Sequence, residues 1–129
     1  MNPYHTRSDI NKAQGLGSAK TGIAHWWMQR VTAVALVPLT LWFTAALIAA
    51  VRRGYDALVA WLESPVSTTL MVLLIIALFY HMALGLQVVI EDYVHSTRRR
   101  LSAVLAVKLG CSALAVTGIL AVVRLSLGG

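Results

Sequence analysis

The sequence predicts an all-α integral membrane protein that crosses the bilayer three times, and two observations lead to this fold class. Hydrophobic residues make up 58% of the 129 residues and charged residues only 12%, whereas a soluble domain carries roughly 25% charged residues. The uncharged residues are also gathered in three long runs. Each run is long enough to cross a hydrocarbon core of about 30 Å as a helix.

Each run predicts one helix, with bounds at about 30–51, 67–92 and 101–124. The first run holds 21 uncharged residues between Arg30 and Arg52, and the second holds 27 between Glu63 and Glu91. Lys108 interrupts the third run near its inner end, from where its long side chain is expected to reach the membrane surface. The three helices are therefore expected to lie across the membrane as one bundle.

One membrane-anchor domain, 1–129, is expected, since a chain of this length accommodates a single domain. Residues 30–124 form its three-helix transmembrane region. Residues 1–29 are expected to form a loosely structured N-terminal arm on the cytoplasmic side. They lack the short apolar core and cleavage site of a signal peptide.

The distribution of Lys and Arg predicts the orientation. Seven of these residues are assigned to the side of the N-terminus (Arg7, Lys12, Lys20, Arg30, Arg98, Arg99, Arg100) and three to the other side (Arg52, Arg53, Arg124). Because cytoplasmic segments carry the excess of positive charge, the N-terminus is expected in the cytoplasm. The net charge of +6 is thus assigned to anchoring in membrane lipid, and nucleic acid is not an expected partner. The lack of a transit peptide favours a bacterial inner (plasma) membrane over a mitochondrial inner membrane.

His81 is the one histidine that lies deep in an apolar run, about ten residues or roughly 15 Å from the inner end of its helix. An ionisable residue at this depth needs a partner and is by default a functional hypothesis. The sequence favours two explanations equally, a ligand to a cofactor and a hydrogen bond to a neighbouring helix. Gly85, one turn further on, leaves room either for a flat cofactor or for close helix packing.

Three further side chains are candidates for binding. Asp92 follows His81 by 11 residues, which at about 100° per residue puts both on one helix face. Asp92 and Tyr93 offer an acceptor and a phenolic donor at the membrane boundary, although a solvated carboxylate and an ordinary interfacial tyrosine explain them too. Arg30, at the start of the first helix, is either a positive anchor or a binding residue for an anion such as a cofactor carboxylate.

These residues resemble the family of hydrophobic membrane anchors of succinate dehydrogenase. The spacing from His81 through Gly85 to Asp92 and Tyr93 is similar to the signature of that family's second helix. The segment 22–33, GIAHWWMQRVTA, is similar to the beginning of its first helix. The resemblance covers essentially residues 15–125.

The resemblance implies a haem b held between two histidines, one from this chain and one from a second three-helix anchor. It implies that His81 is this chain's axial ligand to the haem iron and that Arg30 lies near the haem propionates. It further implies that Tyr93, with Asp92 beside it, belongs to the ubiquinone site. An iron–sulfur subunit and a flavoprotein subunit are the other implied partners, and His25 is not expected to be a ligand.

The expected function is that of a membrane anchor subunit of succinate:quinone oxidoreductase, respiratory complex II, and the chain alone is not expected to be catalytic. Since the chain has no dinucleotide fingerprint and only one cysteine, Cys111, flavin and iron–sulfur centres are expected in other subunits. The alternative is a non-redox structural or assembly subunit in which His81 only joins helices. A transporter is less favoured because so few polar residues lie within the runs.

Overall fold

The computed structural model describes the backbone of residues 16–128 and the side chains of residues 22–128. Within this part of the chain there is no β strand, and four helices follow one another: α1 (Leu16–Arg53), α2 (Tyr55–Glu63), α3 (Pro65–Tyr93) and α4 (Thr97–Ser126). The prediction of an all-α membrane fold is confirmed. The first 15 residues of the predicted arm lie outside the described residues.

Three of these helices are long and apolar enough to cross a membrane, over Gly22–Arg53, Pro65–Tyr93 and Thr97–Ser126. At about 1.5 Å per residue, helices of this length extend past a hydrocarbon core of roughly 30 Å. Their ends therefore reach into the interfacial layers. The predicted number and order of spans among the described residues are confirmed.

The first helix begins earlier than predicted. α1 starts at Leu16, so the stretch 16–29 is helical and the expectation of a loose arm is wrong for it. Gly22 and the nearby polar residues suggested an irregular segment, because glycine costs about 1 kcal/mol relative to alanine within a helix. Extending a helix that already exists adds one hydrogen bond per residue without a new nucleus, and this outweighs that cost.

The connection between α1 and α3 contains a short helix, α2, that the sequence did not predict. A single residue, Gly54, with φ of 100°, separates α1 from α2, and this backbone conformation favours glycine. Trp61 of α2 packs against Trp42 and Phe43 of α1, with ring centroids 6.1 and 6.0 Å apart. Pro65 then begins α3, a position at which its missing N–H costs nothing.

The connection between α3 and α4 is shorter than predicted. Only residues 94–96 are non-helical, and the three arginines assigned to this loop lie in the first turn of α4. Positive charge opposes the helix dipole at this end, so helix stability does not explain these residues. Positive charge is common in segments close to a membrane surface, and this explains the three arginines.

The helices form a layer with α3 in the middle. α3 contacts both α1 and α4, whereas α1 and α4 do not contact each other within the described residues. Only 6–11% of the residues in the most apolar window of each span are buried inside the chain. Most of the apolar surface is therefore left for lipid or for helices of other chains.

Candidate functional site

His81 lies at the contact between α3 and α1. Its Nδ1 is 3.0 Å from Thr32 Oγ1, and its Nε2 is 3.4 Å from Gln29 Nε2. Both ring nitrogens of this half-buried side chain thus face polar groups of α1. A buried imidazole without such partners would be costly. Neither α1 residue was singled out from the sequence.

The partners of His81 belong to a polar stripe on α1. His25, Gln29 and Thr32 follow the i, i+4, i+7 spacing of one helix face, and this spacing was the signal that sequence reasoning missed. Two buried atoms of the stripe, His25 Nε2 and Gln29 Oε1, have no hydrogen-bond partner. Buried polar groups normally have a hydrogen-bond partner, so each atom in this state requires an explanation. The neighbourhood of His81 therefore has unused hydrogen-bonding capacity.

Gly85 lies one turn from His81 on the same contact surface. A Cβ built at this position would be 3.6 Å from Gln29 Nε2, which is an ordinary van der Waals distance. The space that the glycine leaves beside α3 is thus taken by the Gln29 amide. A larger side chain here would have to displace that amide from His81.

Arg30 does not lie where the sequence suggested. It stands between Gln29 and Thr32, which both contact His81, and at about 1.5 Å per residue its backbone is within roughly 3 Å of Thr32 along the helix axis. The prediction that Arg30 starts the first helix is wrong, since α1 begins at Leu16, and Arg30 instead lies level with His81. Its Cζ lies 4.3 Å from the centroid of the Trp26 ring, a cation–π contact.

Asp92 and Tyr93 lie at the C-terminal end of α3, about 16–18 Å along the helix from His81. Both are exposed, and Tyr93 retains 79% of its accessible surface. The structure therefore does not bring these two residues together with His81. They are available to a ligand or partner at the membrane surface.

A small cavity near the same end of α3 was not predicted. It has a volume of about 260 Å³ and is lined by Gln87, Glu91, Thr97, Arg100, Leu101 and Val104. Gln87 Nε2 donates a hydrogen bond of 2.7 Å to Glu91 Oε1, while Gln87 Oε1 is buried without a partner. Asp92 and Tyr93 do not line this cavity.

A larger cleft of about 360 Å³ lies between α3 and α4. Its walls are mostly apolar and include Leu84 and the buried Cys111. Lys108 also lines it, about 16 Å from the first residue of α4. Because α4 begins at Thr97 and not at 101, Lys108 lies about three turns from this end of the helix, further from the end than the sequence suggested.

The metal-binding capacity of His81 depends on other molecules. Among the residues that the structure describes, no three His, Cys, Asp or Glu side chains stand close enough to hold a metal ion. A metal at His81 would have to take its remaining ligands from elsewhere, and an iron held in a porphyrin does so. One imidazole with spare polar groups beside it fits such a cofactor.

The fold and the site define a class, that of a membrane anchor with three spans and a histidine within the second. The family model of the succinate dehydrogenase/fumarate reductase transmembrane subunit matches residues 5–123. The chain belongs to this family, which confirms the resemblance found in its motifs. It is therefore a transmembrane part of an enzyme complex.

Individual relatives support the same conclusion. The succinate dehydrogenase hydrophobic membrane anchor subunit of Rickettsia bellii is 38% identical to this chain, over 82% of the chain and 85% of that protein. The proteins of the same description from Rickettsia conorii and Paracoccus denitrificans are each 31% identical. These matches cover 84% and 90% of this chain, and 86% and 89% of the relatives.

Proposed function

We propose that the chain is the hydrophobic membrane anchor of a succinate:quinone oxidoreductase, with His81 as one axial ligand of haem b. The observation that supports this role is the contact of the His81 ring with α1. Its Nδ1 faces a hydroxyl at 3.0 Å, whereas its Nε2 meets only an amide nitrogen at 3.4 Å. Nε2 is thus the weakly held nitrogen and the better candidate for iron.

Haem b, when bound, supplies a one-electron redox centre whose potential depends on its axial ligands and their hydrogen bonds. The residues of this chain would hold it in place. Arg30, level with His81 and stacked on Trp26, would pair with a haem propionate. The second axial histidine is assigned to the other three-helix anchor of the complex.

The quinone site is assigned to the inner end of α3. The phenol of Tyr93, which is 79% exposed, would donate a hydrogen bond to a carbonyl oxygen of ubiquinone and stabilise the negative charge that develops there. Asp92 would orient the site or relay protons to it. An iron–sulfur subunit would cover this end and deliver electrons that a flavoprotein subunit takes from succinate.

The proposed location is a bacterial inner membrane with the N-terminus in the cytoplasm. The arginines in the first turn of α4 (Arg98, Arg99, Arg100) lie at the same end of α3 as Tyr93. A cluster of positive charge at one end of the spans favours that end as the cytoplasmic one. The quinone site would then face the soluble subunits.

The haem assignment is tested by replacing His81 with alanine in the complete complex. The purified wild-type complex should show a reducible b-type haem absorption band, and His81→Ala should abolish most of it because one of two axial ligands is lost. His95→Ala is the matched control, since His95 lies exposed in the 94–96 connection. An undiminished band in the His81→Ala complex contradicts the assignment.

The alternative is a structural subunit in which His81 only joins α1 to α3. The contacts with Thr32 and Gln29 favour it as well, because interhelical hydrogen bonds of this kind stabilise membrane bundles by about 0.6–2 kcal/mol. The same spectrum separates the two functions. A wild-type complex that is fully assembled and lacks any haem band supports the structural role.

The quinone assignment has its own test, Tyr93→Phe. Removing a hydrogen-bond donor to a developing oxyanion typically costs about 10²–10³ in rate, so ubiquinone reduction should fall markedly. Succinate oxidation measured with an artificial acceptor at the soluble subunits should stay unchanged. Tyr55→Phe, at the outer end of the bundle, is the control variant. An unchanged rate of ubiquinone reduction by Tyr93→Phe would reject this site.

A further inference from the structure

The hydroxyl of Thr32 is the least exposed polar partner of His81. Thr32 is 7% exposed, and its Oγ1 has three possible partners. These are the carbonyl oxygen of Met28 at 2.7 Å, the carbonyl oxygen of Gln29 at 3.1 Å and Nδ1 of His81 at 3.0 Å. A hydroxyl has one proton to donate, so the distribution of these bonds decides which tautomer of the neutral imidazole fits the site.

The geometry assigns the hydroxyl proton to the backbone. The Met28 carbonyl lies one turn before Thr32 and gives the shortest of the three distances, in the pattern by which threonine bonds back along its own helix. The lone pairs of Oγ1 are then free, and they face His81. The ring must therefore donate its Nδ1–H to Thr32.

The second nitrogen of the ring leads to the same tautomer. The Gln29 side-chain nitrogen lies 3.4 Å from Nε2, and because an amide nitrogen can only donate, this contact is a hydrogen bond only when Nε2 is unprotonated. With Nδ1 protonated, Nε2 carries a lone pair, as a metal-binding nitrogen must. Two contacts on different atoms of α1 thus select one state of the ring.

We propose that Thr32 is a positioning residue that fixes the tautomer and the orientation of His81 so that Nε2 binds the haem iron. This inference rests on the proposed function of His81. A hydrogen bond from the second ring nitrogen makes the imidazole a stronger donor to the metal, and loss of such a partner typically weakens metal affinity by about 10- to 100-fold. The Gln29 amide, held by the longer contact, is the group that iron would replace at Nε2.

The test compares Thr32→Val with Thr32→Ser in the complete complex. Valine keeps the shape of the side chain and removes the hydroxyl, so haem retention should fall about 10- to 100-fold during titration with a competing haem acceptor. The midpoint potential of the remaining haem should rise, because a weaker imidazole donor stabilises ferric iron less. Serine restores the hydroxyl and should return both values towards those of the wild type.

Thr40→Val is the matched control. Thr40 lies two turns further along α1 and makes the same backbone bonds, to Leu36 at 2.6 Å and Val37 at 3.1 Å, but it is exposed and does not contact His81. This variant should keep the wild-type potential and haem retention. Equal changes in both valine variants would show a general effect on α1 and overturn the positioning role.

The outcomes separate this inference from the proposed function. If His81→Ala loses the haem while Thr32→Val keeps the wild-type potential and retention, Thr32 has no positioning role and the haem assignment stands. If His81→Ala keeps the haem, the assignment itself fails. The ferric EPR spectrum provides a further readout, since its g values follow the orientation and donor strength of the axial imidazole.

Discussion

The two sides of α3 make contacts of different chemical character. Towards α1, a polar set of His81, Thr32 and Gln29 meets within hydrogen-bonding distance. Towards α4, Gly118 packs against Ile75, and Cys111 is buried. The α4 side also encloses a mostly apolar cleft of about 360 Å³. One helix thus presents the candidate site to one neighbour and a packing surface to the other.

The difference shows what determines helix pairing in a membrane. Lipid chains are as apolar as leucine, so apolar contact alone gives helices little preference for one another. Close packing of small residues serves the α3–α4 contact, while polar pairs set the register of the α1–α3 contact. We expect mutations on the α4 side to affect stability alone and those on the α1 side to affect haem binding too.

The largest effect is expected for Gly85→Leu. Even a Cβ would lie 3.6 Å from the Gln29 side-chain nitrogen, so leucine would crowd the contact between α1 and α3 at which His81 lies. Overpacking of this kind costs about 1–3 kcal/mol. The complex should lose thermal stability and most of its b-type haem absorbance.

Gly85→Ala is the control for this variant. Its Cβ fits at the 3.6 Å distance without displacing the amide, so haem content should remain close to that of the wild type. A similar loss of haem in both variants would show that any substitution at Gly85 disturbs α3. Gly85 would then no longer support the difference between the α1 side and the α4 side of α3.

Gly118→Leu should have an intermediate effect, on stability only. A Cβ here would lie 3.4 Å from Ile75 Cδ1 and 3.6 Å from Ile75 Cγ2, so leucine forces α4 away from α3 at a cost of about 1–3 kcal/mol. The complex that still assembles should keep the wild-type midpoint potential. Thermal denaturation and a redox titration of one preparation measure both quantities, and a shifted potential would contradict the separation of the two sides.

Cys111→Ala should have the smallest effect. The thiol is 6% exposed and faces the cleft between α3 and α4, so its removal enlarges a space that already exists. A loss of no more than about 1 kcal/mol is expected, as for a typical point mutation. The haem spectrum should be unchanged, and a spectral change would show that the cleft communicates with His81.

Much of the fold was predictable because hydropathy and length are local properties. The three apolar runs indicated the three spans, and His81, Asp92 and Tyr93 were selected as candidates because polar and aromatic residues stand out in apolar sequence. The ends of the helices were predicted less well. Charged residues such as Arg30 and the arginines before Leu101 suggested boundaries, yet α1 and α4 continue past them.

The residues around His81 were harder to predict. Thr32 and Gln29 are ordinary polar residues, and nothing in their local sequence shows that they face a histidine 49 and 52 positions away. Their shared helix face with His25 was a signal of a polar stripe that the sequence interpretation missed. It did not indicate the partner of that stripe.

The sequence by itself determined the all-α class, the number of spans and the family, because each follows from composition or from the spacing of residues within one helix. Only the tertiary structure decided the register between α1 and α3, and with it the neighbours of His81 and the level of Arg30. The physical reason is that hydropathy is nearly the same all along a membrane helix. Register is therefore chosen by particular contacts between helices, and such contacts exist only once the helices have packed.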